Sequence, residues 1–178
     1  MNVARMASPV GELTLVGSDA GLRAVLFVCE ADAAPAGAVE APHPVLEQAA
    51  EQLREWFAGE RTTFELPLDL TAATEFQRRA WLALAEIPYG TTRSYGEQAR
   101  ELGVPRAARA VGAANGRNPL SIVLPCHRLI GSTGALTGFS GGLDVKRALL
   151  DHEAATAGRA AGAGSARTRT SRAQRRRT

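Results

Sequence analysis

Apolar residues in the first 30 positions fall in short runs that predict β-strands. One run lies within residues 10–16 and a second within residues 22–28. Residues 18–21, Ser-Asp-Ala-Gly, separate the two runs and have the composition of a tight turn. We therefore predict a hairpin, preceded by another turn at residues 8–11 and followed by a loop over residues 31–42.

After this loop the apolar spacing changes to that of a helix. Residues 43–58 carry apolar side chains three or four positions apart, and Gly59 follows as a typical helix terminator. Residues 62–70 are predicted to be an extended connection. The pattern therefore favours a strand-rich first lobe over residues 1–73.

The next part of the chain is predicted to be helical. Residues 74–77 (Thr-Glu-Phe-Gln) and residues 94–97 (Ser-Tyr-Gly-Glu) both have the capping-box pattern of a helix start. The first helix is expected to end at Ile87 and the second at about Leu102, before a turn at residues 103–105. Two short helices across such a turn are typical of a helix-turn-helix, although ordinary helical domains share the arrangement.

The third predicted helix, from Arg106 to about Asn115 with Pro105 at its start, is rich in alanine and glycine. Small side chains allow close packing against another helix, or close approach to a nucleic-acid groove. Arg109 projects from this surface as a long side chain, and arginine is suited to a minor groove or to the place of a displaced base.

The last part of the chain divides into a glycine-rich loop, a helix and a basic tail. Residues 131–142 contain five glycines, which indicate either a closely approached loop or a plain connection. Residues 144–153 are predicted to form a closing helix. Residues 154–178 contain little that can be buried, and we predict a disordered tail.

Charge is distributed unevenly along the chain, although the net charge is only +3. Residues 1–75 carry four Arg against twelve Asp and Glu, whereas residues 76–153 carry ten Lys and Arg against six acids. Residues 154–178 add seven Arg and no acid. The second lobe and the tail therefore suit a polyanion better than the first lobe does, although soluble domains also show such imbalance by chance.

Several classes of protein are excluded or disfavoured by the sequence. No apolar run is long enough to span a membrane, and residues 1–9 lack the apolar core of a signal peptide. Cys29 and Cys126 lie in unlike contexts, which disfavours a disulfide and fits a reducing compartment. Two cysteines and three histidines give no zinc-ligand spacing. Cys29 ends an apolar strand and is predicted to be a buried small hydrophobe.

The segment Pro125-Cys126-His127-Arg128 carries the clearest chemistry. A cysteine attacks as its thiolate, which is the minor form of a free thiol near neutral pH. An adjacent base and a cation such as Arg128 would favour the reactive form. Cys126 is therefore the candidate nucleophile. We find no clear chemistry for His43 or His152, and we expect His152 to lie on a helix surface.

These residues resemble the O6-alkylguanine-DNA alkyltransferases. The fragments that carry the resemblance lie in order over residues 74–153, with matching spacing: Tyr95 in Ser-Tyr-Gly, residues 107–112, Asn118-Pro119, residues 125–128, Ser140-Gly-Gly142 and residues 146–153. The resemblance implies an α+β fold, with a ribonuclease-H-like strand-rich lobe before a helical lobe that contains the helix-turn-helix and an active-site loop.

The resemblance also implies a role for each matching residue. Cys126 would accept the alkyl group, His127 would act as its base through a bound water, and Glu153 would orient the imidazole. Contacts with DNA or the damaged base are implied for Tyr95, Arg109, Asn118, Arg128, Leu129 and Ser140, with Asn118 bracing the turn ahead of the active strand. Neither a cofactor nor a metal is implied.

The implied function is direct repair of O6-alkylguanine, and of O4-alkylthymine, by one irreversible alkyl transfer to Cys126 after the base is flipped out. The partner would be double-stranded DNA bound through its minor groove. The resemblance implies a cytoplasmic protein that is a monomer in solution, and it leaves cooperative assembly on DNA open. Phe139 and Leu129 replace the tyrosine and valine of many family members, so a tyrosine hydroxyl is missing and Leu129 could narrow the pocket.

Three other functions were considered. A non-enzymatic alkyltransferase-like protein would bind damaged DNA but lack the acceptor cysteine, so Cys126 argues against it. A cysteine hydrolase would use Cys, His and Glu, but the alanine-rich helix with Arg109 does not fit one. A regulatory fusion would need an additional DNA-binding module for which this chain is too short.

Overall fold

The first lobe is built on a small sheet, in a computed structural model that describes the backbone of residues 1–174 and the side chains of residues 1–30 and 32–159. Its strands are β1 (Asn2–Met6), β2 (Leu13–Ser18), β3 (Gly21–Phe27) and β4 (Val39–Glu40). The order is β3-β2-β1-β4, antiparallel except for the parallel pairing of β4 with β1. The predicted β2–β3 hairpin and the turn that precedes it are both confirmed.

Helix α1 (Pro44–Ala58) covers one face of this sheet. It starts with proline and ends at Gly59, whose φ of 77° gives the left-handed cap that glycine adopts without strain. Leu53 and Trp56 on this helix are fully buried, and the Trp56 ring packs against His127 of the second lobe. The predicted helix over residues 43–58 is therefore confirmed to within one residue.

The second lobe contains three short helices, α2 (Glu75–Leu82), α3 (Tyr95–Glu101) and α4 (Ala108–Asn115). Both capping boxes form as predicted, with Thr74 and Ser94 as the caps. A single apolar core runs from the sheet through α1 to α2 and the Cys126 segment, so the two lobes are packed together as one body.

Two helix boundaries differ from the prediction. Helix α2 ends at Leu82 and continues as a 3-10 turn (Ala83–Glu86). Helix α4 begins at Ala108, with Ala107 as its cap, so Pro105 lies in the preceding turn. The amide of Ala107 donates to the carbonyl of Val104, which extends this turn beyond the proline.

The final helix, α5 (Leu143–Gln174), extends beyond Glu153, where the sequence predicts its end. Thr156 is buried beside Gly59 of the first lobe, and Ala157 lies against Gly90 of the second, so this part of α5 packs against both lobes. The expected disorder is therefore wrong for residues 154–159, because α5 finds a packing surface there. Residues 175–178 of the predicted tail lie outside the described residues. No helix among the described residues is long and apolar enough to cross a bilayer.

Two predictions about single residues are also wrong. Cys29 is exposed, because β3 ends at Phe27 and residues 28–33 turn outward as a 3-10 helix. His152 is half-buried, and its Nε2 lies 2.9 Å from the carbonyl oxygen of Trp56. It links α5 to α1 instead of lying on the helix surface.

Candidate active site

Cys126 follows a strained turn that is held by Asn118. Ile122 has a φ of 72°, which a β-branched residue adopts at a cost of about 1–3 kcal/mol. The Asn118 side chain donates to the carbonyl of Leu124 at 2.7 Å and accepts from the amide of Leu120 at 3.0 Å. Asn118 therefore fixes the turn that presents Cys126, at the start of a 3-10 turn (Cys126–Arg128) where a strand was expected.

The Cys126 thiol is 9% exposed, and burial raises its pKa. Hydrogen bonds from Asn118 and Ser121 and the positive charge of Lys146 oppose this effect only in part. The thiol is therefore protonated at neutral pH in this structure, and its reaction requires a base.

A buried pair, His127 and Glu153, has the geometry of a proton acceptor and follows Cys126 directly in the chain through His127. Nε2 of His127 lies 2.8 Å from Oε1 of Glu153, and both side chains have no solvent exposure. The second oxygen of Glu153 accepts from the backbone amide of Gly90 at 2.9 Å. Nδ1 of His127 is buried without a protein partner, so it is the nitrogen free to accept a proton.

The protonation states of this pair suit a proton acceptor. Burial lowers the pKa of His127, and the hydrogen bond and charge of Glu153 do not fully compensate. Burial alone would raise the pKa of Glu153, but hydrogen bonds and charges from His127 and Arg128 together hold it below its usual value. At neutral pH the pair consists of a neutral imidazole and an ionised carboxylate.

Arg128 holds the same carboxylate from the other side. Its Nε lies 3.0 Å from each oxygen of Glu153, its Nη2 lies 2.9 Å from Oε1, and its Nη1 donates to the carbonyl of Ile87 at 2.6 Å. Arg128 is only 5% exposed. In this structure the guanidinium is used to bind Glu153, so a contact of Arg128 with DNA stays a prediction that these contacts do not support. For the same reason it does not provide the cation expected beside the Cys126 thiol.

A narrow cleft lies over Cys126. Its walls are formed by six other residues: Tyr95, Asn115, Gly116, Gly138, Phe139 and Ser140. The Tyr95 hydroxyl donates to the carbonyl of Thr137 at 3.3 Å, which links α3 to the glycine-rich loop. Tyr95 and Ser140 thus lie beside the thiol. The Leu129 side chain does not line this cleft, because it is fully buried in the common core, and it does not narrow the cleft as expected.

Helices α3 and α4 form the predicted helix-turn-helix, and a buried polar network holds them together. Gln98 donates to the carbonyl of Ala80 at 2.9 Å and accepts from Asn115 at 2.6 Å. Arg109 is exposed on α4, with no protein partner for its guanidinium among the described residues. The small side chains beside it leave the helix surface open to a broad partner.

Two models of known protein families match the chain. One is described as "6-O-methylguanine DNA methyltransferase, ribonuclease-like domain" and matches residues 2–70. The other is described as "6-O-methylguanine DNA methyltransferase, DNA binding domain" and matches residues 75–155. The chain belongs to the 6-O-methylguanine DNA methyltransferase family.

Individual relatives in this family are similar over most of their length. The methylated-DNA–protein-cysteine methyltransferase of Mycolicibacterium paratuberculosis is 54% identical over 144 residues, which cover 80% of this chain and 86% of the relative. The protein of the same name from Methanosarcina acetivorans is 45% identical over 159 residues, which cover 86% of this chain and 98% of that relative. The crystal structure of Mycobacterium tuberculosis OGT in complex with DNA is 45% identical, with a TM-score of 0.80 over 88% of this chain and 94% of that one.

The structure of this methyltransferase-family chain also adds a site residue that sequence reasoning missed. Lys146 is fully buried on α5, donates to the carbonyl of Thr137 at 2.8 Å, and lies 5.9 Å from the centroid of the Tyr95 ring. Burial lowers its pKa, and the nearby Cys126 thiol opposes that shift. Lys146 is the only lysine in a chain that otherwise uses arginine, which was the available signal.

The cleft offers no metal centre. Among the described residues, no three His, Cys, Asp or Glu side chains come together as a metal-binding group. The side chains that line the cleft with Cys126 include the phenol of Tyr95, the amide of Asn115 and the hydroxyl of Ser140, which suit hydrogen bonding to an organic base.

Proposed function

We propose that this protein is a methylated-DNA–protein-cysteine methyltransferase, which repairs O6-alkylguanine in duplex DNA by transferring the alkyl group to its own Cys126. The observation that carries this proposal is the buried arrangement of Cys126 beside the His127–Glu153 pair, at the base of a cleft next to a helix-turn-helix. The names of relatives 45–54% identical to this chain support the same activity.

The chemistry is a displacement at the alkyl carbon. His127 takes the Cys126 proton on Nδ1, through a bound water, while Glu153 stabilises the imidazolium that forms. The thiolate then forms an S–C bond as the C–O6 bond of the purine breaks. The purine gains one proton, which balances the proton that Cys126 lost to His127, and it leaves as guanine. Since the thioether offers no good leaving group, each chain reacts once.

The donors that make guanine a better leaving group lie around the cleft. The Tyr95 hydroxyl and the backbone near Ser140 would donate to the base, and hydrogen bonds of this kind stabilise negative charge as it develops on O6. Backbone carbonyls at Cys126 and Leu129 would accept from the exocyclic amine. O4-alkylthymine presents a similar alkoxy carbon and is the second expected substrate.

The damaged base has to leave the stack before it can enter the cleft. Helix α4 is proposed to lie in the minor groove, because its small exposed side chains permit close approach to the duplex. Arg109 would occupy the space left by the flipped nucleotide. The excess of positive charge over residues 76–153 supports binding to the phosphate backbone.

Two alternatives are weaker on specific observations. An alkyltransferase-like protein would lack the cysteine that accepts the alkyl group, whereas Cys126 lies in the cleft. A cysteine hydrolase would need a groove for an acyl substrate, whereas the cleft borders the helix-turn-helix. We further propose a cytoplasmic monomer, with the first lobe over residues 1–73, the DNA-binding lobe over residues 74–153 and a basic tail beyond.

The chain contains a matched pair of thiols for testing this function. Cys126→Ser should abolish the loss of methyl groups from duplex DNA that contains O6-methylguanine, while binding to the same DNA persists. Cys29→Ser, which removes the exposed thiol, should leave stoichiometric repair intact. Continued repair by Cys126→Ser would reject Cys126 as the acceptor.

A further inference from the structure

The loop that lines the cleft is held from behind by the first lobe. Phe27, the last residue of β3, packs against Phe139 with ring centroids 5.5 Å apart and the ring planes tilted by 57°. The Cys29 sulfur lies 3.4 Å from the carbonyl oxygen of Ser140. A Cβ on Gly141 would lie 2.7 Å from Cδ2 of Phe27. One short segment of the first lobe therefore contacts three consecutive residues of the loop.

The close approach at Gly141 depends on the Phe27 ring and not on backbone conformation. Gly138 and Gly142 on either side have positive φ angles of 35° and 90°, but Gly141 does not. The backbone at Gly141 would therefore accept an L-residue, and the aromatic ring is what excludes a side chain. Phe27 is 3% exposed and belongs to the common core, so its ring cannot readily move away.

The opposite side of the same loop forms the cleft. Phe139 and Ser140 face Tyr95 across the small space above Cys126. The contacts with the first lobe therefore set how far this wall stands from Tyr95. They also hold the backbone groups that would bind the purine.

We propose that Phe27 is a positioning residue for the substrate-binding loop, and that it sets the width of the cleft in front of Cys126 through Phe139 and Gly141. This inference rests on the proposed function, since the loop matters for reaction only if a purine enters the cleft. A loop displaced from Phe27 would uncover the sulfur while misplacing the groups that hold the base.

Those two effects have opposite signs and can be measured on the same protein. In Phe27→Leu and in Gly141→Ala, transfer of the benzyl group from free O6-benzylguanine to Cys126 should slow by about tenfold, because misplaced binding groups are costly to rate. Alkylation of Cys126 by iodoacetamide, followed by peptide mass so that Cys29 is counted separately, should become faster than in the wild type.

A double substitution tests the contact itself. Phe27→Ala removes the ring that a side chain at Gly141 would strike. Gly141→Ala should therefore reduce the rate of benzyl transfer less in the Phe27→Ala background than in the wild-type background. Val28→Ala is the matched neighbour control, since Val28 is 64% exposed. Leu53→Val in the α1 core controls for reduced stability.

Each result separates the possible outcomes. If the wild type takes up no benzyl group, the proposed function fails. If the wild type reacts, two results in Phe27→Leu would overturn the positioning role. In the first, the rates of benzyl transfer and of alkylation by iodoacetamide are both unchanged. In the second, both rates fall together, as in Leu53→Val. Should Phe27→Leu fail to fold, Gly141→Ala keeps the ring in place and decides the question by the same two rates.

Discussion

Nε2 of His127 lies 2.8 Å from Oε1 of Glu153, in a pocket where neither side chain reaches solvent. Because Glu153 occupies Nε2, the imidazole can accept a proton only through Nδ1. The same carboxylate is fixed by Arg128 and by the amide of Gly90, so the ring has little freedom to turn. The orientation of the proposed base is thus determined by residues outside the cleft.

Glu153→Gln should slow benzyl transfer from free O6-benzylguanine by at least about tenfold, because the imidazole loses its orienting charge. The variant also leaves Arg128 without its charge partner, so rates are compared below the unfolding temperature, with folding checked by circular dichroism. Glu51→Gln, in an exposed ion pair with Arg54, is the control and should react like the wild type. An unchanged rate in Glu153→Gln would remove Glu153 from the mechanism.

Arg128→Met should lower the free energy of unfolding by about 3–5 kcal/mol, since it leaves a buried carboxylate without its cation. It should leave the salt dependence of DNA binding unchanged, because the guanidinium is buried. Denaturant unfolding and binding titrations at several salt concentrations measure the two effects. A reduced salt dependence in folded Arg128→Met would restore Arg128 as a phosphate contact.

Arg109→Ala should affect duplex repair far more than the reaction with a free base. Flipping a base costs a few kcal/mol, so loss of the residue that fills the gap should slow duplex repair by about tenfold or more. Transfer from free O6-benzylguanine should stay at the wild-type rate. Arg54→Ala, on the acidic lobe, is the control. Equal losses on both substrates would show that Arg109 does not act on the duplex.

The pH dependence of stability should reveal the buried pair. The native pKa values of His127 and Glu153 lie below the ordinary values of 6.5 and 4.5, so the unfolded chain binds protons at a higher pH than the native protein does. The free energy of unfolding should therefore decrease as pH falls below about 6.5 and decrease further below about 4.5. In His127→Gln, chemical denaturation between pH 7 and 5 should show a smaller decrease, and an equal decrease would place the titrating group elsewhere.

The sequence predicted helix starts and ends well where neighbouring residues alone determine them. The capping boxes at Thr74 and Ser94 satisfy backbone amides within one turn, so their residues alone determine the helix starts. Gly59 ends α1 for a similar reason. The Cys126 segment could also be recognised, because the thiol and the imidazole are adjacent in the chain.

The differences between the predicted and the observed structure come from tertiary contacts. Arg128 and Glu153 are 25 residues apart, and only the packing of α5 shows that the two side chains pair. Lys146 is buried because the same helix places it beneath the loop. The extension of α5 beyond Glu153 depends on contacts of Thr156 and Ala157 with glycines at the ends of other segments. None of these partners is encoded in local periodicity.

The proposed repair reaction depends on the Cys126 sulfur, so the most direct test is the mass of the protein after reaction. The wild type is incubated with a graded excess of duplex DNA that contains one O6-methylguanine, and its intact mass and tryptic peptides are measured. We expect the addition of one methyl group per chain, located on Cys126, and no further addition at a higher excess of DNA. A protein that removes the lesion with Cys126 unmodified, or that leaves the lesion in place, would contradict the account.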